Sequence, residues 1–153
     1  MTVKLSTGLR NAMAGTIGYS GALNGGVIHV YSGPQPVTAD APVTGTLLGV
    51  VTLNGGAWEA GDPTNGLVLD TPAGGGVTKP AAAVWKFTGL AAGQIGWFRH
   101  VGNALDDGTA STTLPRIDGA AGVGTGDAKF STLTVAVGQP VSLDVYAFQI
   151  PAQ

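Results

Sequence analysis

The sequence predicts an all-β fold: an antiparallel β-sandwich of jelly-roll or Greek-key type, with a short N-terminal helix or arm. Two observations carry that expectation. Short runs of branched and aromatic residues recur, roughly eight of them, separated by Gly, Pro, Asn and Asp about every ten residues. Only one stretch has helical spacing of its apolar residues. The 26 glycines and 9 prolines among 153 residues supply enough breakers for so many turns. The length suits one domain, divided here into an arm with a glycine-rich connection over 1–25 and a β-sandwich over 26–153. No fixed-period repeat is present.

Along the chain, residues 3–14 (VKLSTGLRNAMA) place Leu5, Leu9 and Met13 on one helical stripe, with Gly8 weakening the helix and Gly15 ending it. Residues 15–26 read as a glycine-rich connection. Val27–Tyr31 and Thr46–Leu53 are β-rich runs joined by a loop carrying Pro34, Pro36 and Pro42. Proline fixes φ and cannot donate to a ladder, so this connection is stiff and extended rather than a tight hairpin. His29 alternates with apolar neighbours and has no second histidine or carboxylate near it in sequence, which makes it a structural residue.

Asn54-Gly55-Gly56 is a turn, Trp58 sits between turn clusters, and Leu67–Leu69 is a short strand. Residues 81–88 and 94–101 are expected to pair as a hairpin through Gly89–Gly93, with aromatic residues on both faces. The remaining strands lie over Leu114–Gly119, Ala128–Val137 and Val141–Ile150. In the last of these, strict alternation puts Val141, Leu143, Val145 and Ala147 on one face and Tyr146 and Phe148 on the other.

Composition restricts function. There are no cysteines, so disulfides and thiolate metal sites are excluded. Net charge is −2 and the seven Lys and Arg residues are scattered, which argues against nucleic acid as a partner. No run approaches the ~20 apolar residues of a membrane span, and Met1–Gly15 has no continuous apolar core of signal-peptide type. Synthesis in a cytoplasm without secretory export is therefore expected.

Charged residues make up only 10% of the chain, against about 25% in ordinary globular proteins. Such a neutral surface of small residues suits a protein covered by neighbours.

Catalytic chemistry has little to work with. His29 and His100 are the only histidines, Glu59 is the only glutamate, and the aspartates mostly sit in turn-like settings. No nucleophile elbow is present. Asp106-Asp107 lacks the ligand spacing of a calcium loop. GVGTGD at 122–127 resembles a dinucleotide turn, but no helix follows it. No enzyme activity, cofactor, metal or small-molecule substrate is expected.

VIHVYSGPQPVTADAPVTGTLLGVVTLNGGAW, GWFRHVGN and the segment from STTLPRIDGAAG to VYAFQIP resemble a group of small structural proteins of tailed bacteriophages. The shared pattern is a strand ending in YSG, a loop with QP and AD, a GTLL strand, a WFR strand and a last strand ending in IP. The resemblance implies a virion component, most like a capsid decoration or cement protein. It implies the outer surface of the phage head as location, after synthesis in the bacterial host cytoplasm. It implies the major capsid protein and copies of itself, as dimer or trimer, as partners.

On that reading the contact residues are Tyr31, Pro34, Gln35, Pro36 and Trp58, with Leu5 and Leu9 of the arm. A tail or baseplate component is the alternative within phages. A carbohydrate-binding sandwich, stacking sugars on Trp58, Trp85 or Trp97, is the alternative of another class.

Overall fold

The computed structural model describes residues 3–152. The elements are β1 (Lys4–Leu5), α1 (Thr7–Ala14), α2 (Gly18–Leu23), β2 (Val27–Ser32), β3 (Leu47–Leu53), β4 (Gly76–Thr78), β5 (Trp85–Thr88), β6 (Gly93–Val101), β7 (Arg116–Gly122), β8 (Ala128–Phe130), β9 (Thr134–Val135) and β10 (Pro140–Gln149).

The fold is all-β in its core, but it is a barrel and not a sandwich. Seven strands close in the order β2-β3-β5-β10-β8-β7-β6 and back to β2. Closure removes the free edges that a sandwich must protect. The short strands β1, β4 and β9 add to β7, β10 and β6.

All pairings are antiparallel except β7 with β8. A parallel connection ordinarily takes a dozen residues or more. Here the glycine-rich turn at 123–127 achieves it. Asp127 holds the turn closed: its backbone N–H donates to Ala120 O and its carboxylate accepts the Ala120 N–H, each at 2.9 Å. The GVGTGD motif is thus the splice that closes the barrel, and no helix follows it.

Alternation decides what fills the interior. Ile28 and Val30 of β2, Val51 of β3, Trp85 and Phe87 of β5, Phe98 of β6, Phe130 of β8 and Leu143 of β10 belong to one buried cluster. Gly49 pairs with Val30, and a Cβ there would lie 2.0 Å from the Phe87 ring, so the missing side chain is the space the phenyl occupies.

In β10 the alternation changes phase. A register shift between Leu143 and Val145 against β8 turns Tyr146 inward and leaves Val145 and Ala147 exposed, the reverse of strict alternation.

Two further expectations are corrected. Strands β5 and β6 do not form a hairpin; β5 lies between β3 and β10, while β6 lies between β2 and β7. The five-residue linker leads the chain across the barrel end, because Gly89 is bonded to Gln139 and Gly138 and not to β6. Leu67–Leu69 contributes a single bridge, Leu67 to Gly26, in place of a strand. The turn at Asn54-Gly55 does form, both residues having positive φ.

The N-terminal stripe splits. Leu5 is in β1, paired with Ile117, and the helix starts after it at Thr7. Ser6 is the N-cap. Its hydroxyl accepts the Leu9 and Arg116 N–H groups and donates to Leu114 O. The glycine-rich stretch after α1 holds a second helix, α2, whose Tyr19 and Leu23 join the core with Leu9.

Gly8 lies where α1 touches the backbone of 113–114. A Cβ there would sit 2.3 Å from Thr113 O and 2.6 Å from Leu114 O. Helix propensity alone assigns Gly8→Ala a gain of about 1 kcal/mol. The close approach predicts the opposite sign, a loss of about 1–3 kcal/mol. Chemical denaturation of the two proteins decides between them.

Candidate interaction surface

The outer wall of β2, β6 and β7 packs aromatic and charged side chains against one another. Register places His29 opposite Arg99 and Tyr31 opposite Trp97, with Arg99 opposite Asp118 in the next strand. Tyr31 stacks on Trp97 with centroids 4.6 Å apart, and the Arg99 guanidinium lies 5.5 Å from the Trp97 ring.

Arg99 makes a two-pronged pair with Asp118, Nε to Oδ1 at 2.7 Å and Nη2 to Oδ2 at 2.8 Å. Arg116 does the same with Asp106, both contacts at 2.6 Å. Both guanidiniums are fully buried.

Two loops cover this wall, and the guanidiniums bind them. Arg99 donates to Ala41 O, and Arg116 donates to Ala39 O and Thr109 O. The strap 33–46 and the loop 102–115 are also joined to each other through Val43 N to Gly108 O and Ser111 N to Asp40 O. Asp40 reaches across to α1, accepting from both the N–H and the hydroxyl of Thr7. Lys4 bonds Pro36 O. The proline-bearing loop is therefore folded onto its own barrel rather than extended into solvent.

This placement sorts the sequence-predicted contact residues. Leu9 is in the core and Tyr31 is buried under the strap, so neither offers a face to a partner. Pro36 is buried too, while Pro34 is exposed and Gln35 partly so. Leu5 is partly buried in β1. Trp58 is partly exposed, its Nε1–H donating to Gly25 O at 2.8 Å.

The three tryptophans are not equivalent. Trp85 and Trp97 are buried, which removes two of the three stacking platforms that a carbohydrate-binding reading needs. Residues that sequence reasoning passed over stand out instead. Val37 at the strap and Leu105 in the facing loop are 88% and 74% exposed. Each lies within two residues of a group that binds Arg116. Nothing in their local pattern marks them, because their exposure depends on which neighbouring groups the guanidinium draws inward.

Other titratable groups have partners or burial within the fold. The fully buried His100 Nδ1 is 3.0 Å from Tyr146 Oη, which is 2.8 Å from Tyr19 Oη. Desolvation holds the His100 imidazole at about 3, and His29 at about 4. Asp106 spends both oxygens on Arg116, and Asp107 accepts from Thr109. Among the described residues no group of three or more His, Asp or Glu is placed to hold a metal ion.

A cleft of about 370 Å³ on the outer wall, lined by His29, Thr52, Trp58 and Leu90 among others, lies beside the strap-covered region. It holds no cluster of acids. No helix among the described residues is long and apolar enough to cross a membrane. Compared with protein-family models, curated proteins and solved structures, the chain matches none.

Two outcomes follow from this wall and the core beside it. Asp106→Ala leaves the Arg116 guanidinium buried without its carboxylate and is expected to cost about 3–5 kcal/mol. Arg116→Met with Asp106→Leu is expected to cost less than that single change, as equilibrium denaturation of the three proteins would show.

The second outcome concerns pH. Both imidazoles have folded values below the ordinary 6.5. The unfolded chain therefore takes up protons that the folded one refuses as pH falls. Stability is complete above about pH 6.5 and declines below it, by about 2 kcal/mol at pH 5 for His100 and less for the partly exposed His29. Unfolding curves at pH 7 and pH 5 measure the decline, and His29→Gln is expected to remove part of it.

Proposed function

We propose that this chain is a structural protein of a tailed-phage virion, a head decoration protein that bridges major capsid subunits through its strap and the facing loop. One observation carries the reading. Two long loops, which would ordinarily be mobile, are fastened by buried charge to a closed barrel while Val37 and Leu105 project from them. A surface ordered before binding loses little conformational entropy on docking. Repetition over a lattice then multiplies weak contacts.

The sparse surface charge supports the same reading. Of seven cationic and nine anionic side chains, two of each are withdrawn into the buried pairs. The resemblance to phage structural proteins supplies the setting.

Empty, expanded shells of the parent phage, assembled without this protein, provide the test. Saturable binding at a fixed ratio to the major capsid protein is expected, with shells that survive more heat. Val37→Asp and Leu105→Asp are expected to weaken binding at least about tenfold while leaving the fold intact. Retention on isolated tails with no binding to shells would move the protein to the tail.

A further inference from the structure

Three asparagines precede glycine: Asn24-Gly25, Asn54-Gly55 and Asn65-Gly66. In that pairing a backbone nitrogen attacks the side-chain amide before it most readily, because glycine has no side chain to shield the nitrogen. The fold treats the three pairs unequally. Asn24 Oδ1 accepts the Leu69 N–H at 2.9 Å, and the Gly25 N–H donates to Leu67 O at 2.8 Å. Asn65 Nδ2 donates to Ala57 O at 2.7 Å, and the Gly66 N–H donates to Pro63 O at 2.9 Å. Gly25 and Gly66 are buried, and a Cβ at Gly66 would lie 2.3 Å from Gly25 O. In both pairs the nitrogen and the amide it would attack are each held by a bond of their own.

Asn54-Gly55 lacks these restraints. Both residues are exposed at the tip of a turn, with φ of 56° and 68°. The Gly56 N–H closes the turn around them, donating to Leu53 O at 3.0 Å. The Asn54 side-chain amide has no hydrogen bond to the other described residues. The Gly55 N–H has only a stretched contact, 3.4 Å to Thr52 O. What a side chain at Gly55 would meet first is the flexible chain of Lys86, not backbone. The two Asp-Gly pairs are restrained as well. Asp107 accepts from Thr109 and the Gly108 N–H donates to Asp106, while Asp118 is committed to Arg99.

We propose that Asn54 is a self-modification site, where the folded chain converts its own side-chain amide to an acid. The Gly55 nitrogen gives its proton to a base in the solvent and bonds to Asn54 Cγ. The Cγ–Nδ2 bond breaks, Nδ2 leaves as ammonia, and a cyclic imide remains. Water then opens the ring. Attack at Cγ breaks the new bond and leaves an aspartyl residue. Attack at the main-chain carbonyl breaks the original peptide bond and leaves an isoaspartyl link through Cγ. Water is the only co-reactant, and nothing is oxidised or reduced. Either product adds a negative charge to a chain of net charge −2. The isoaspartyl form also adds a carbon to the backbone of the turn. Gly55 and Gly56 line the cleft that holds His29, Thr52 and Trp58, and no Asp, Glu, Lys or Arg lines it. The reaction therefore sets a carboxylate beside an uncharged cleft. The proposal does not rest on the virion reading, because it concerns the purified chain in solution.

Incubation of the full chain in mildly alkaline buffer, with peptide mapping by mass spectrometry at intervals, tests it. In concentrated urea the tertiary restraints are lost, and all three Asn-Gly pairs are expected to convert at similar rates. In the folded chain Asn54 is expected to convert at least about tenfold faster than Asn24 and Asn65, whose bonds must first open. Aspartyl and isoaspartyl forms should both appear at position 54, equal in mass and separated by chromatography. Isoelectric focusing of the folded chain is expected to show a drift toward negative charge that Asn54→Gln removes, since glutamine cyclises far more slowly. Near-ultraviolet circular dichroism checks that this variant keeps the fold. A folded chain in which Asn54 outlasts the time that converts it in urea overturns the proposal. So does conversion of Asn24 or Asn65 that keeps pace with Asn54, or a charge drift that Asn54→Gln leaves unchanged.

Discussion

A guanidinium cannot be taken out of water without a partner, and this barrel takes out two on one wall. Arg99 and Arg116 leave the sheet on neighbouring strands and are fully buried. Each is met by a carboxylate, by backbone carbonyls and by the loops that carry those carbonyls. The desolvation penalty of a buried ion is several kcal/mol before compensation. The strap and the facing loop therefore cannot swing away without stranding a charge. The order of the exposed loops, the burial of Tyr31 beneath them, and the anchoring of α1 through Asp40 and Thr7 all depend on this constraint.

The same wall accounts for the poverty of the surface in charge. A chain with few ionisable residues has committed four of them to the interior, where they contribute to the placement of loops more than to net stability. Replacing a buried pair with apolar residues of similar size is often neutral. The pairs are therefore better understood as specifying one arrangement of two proline- and glycine-rich loops, which carry little information of their own. Backbone contact performs the corresponding task elsewhere. Gly8 against 113–114, Gly49 beneath Phe87 and Gly89 against Ala136 are places where the absent side chain allows two elements to meet.

Much of this was visible in the chain and some was not, for identifiable reasons. The strands over Val27–Ser32, Leu47–Leu53 and Pro140–Gln149 are legible because branched residues between breakers are a local signal. The pairing of 81–88 with 94–101 was inferred from a short linker between two apolar runs. Length is not decisive there, because Gly89–Gly93 bridges the barrel end as easily as it would close a hairpin. Alternation in the last strand misplaces Tyr146 because one bulge reverses every face beyond it. The candidate surface was legible only as a stiff loop. Which residues of that loop are sunk, as Pro36 and Ala39 are, and which project, as Val37 does, depends on a guanidinium some 80 residues further along the chain.

By itself the sequence determined an all-β chain with a short helix or arm at its start, no cysteine chemistry, little charge, and turns at Asn54-Gly55 and Gly138. These follow from local propensity, breaker residues and composition, which need no knowledge of distant partners. Tertiary structure alone decided that the sheet closes into a barrel and that GVGTGD is its splice. It also decided that Arg99 and Arg116 are interior. Each of these is a relation between residues far apart in sequence, settled by which pairings close the seven barrel strands on one another and give each buried guanidinium a carboxylate.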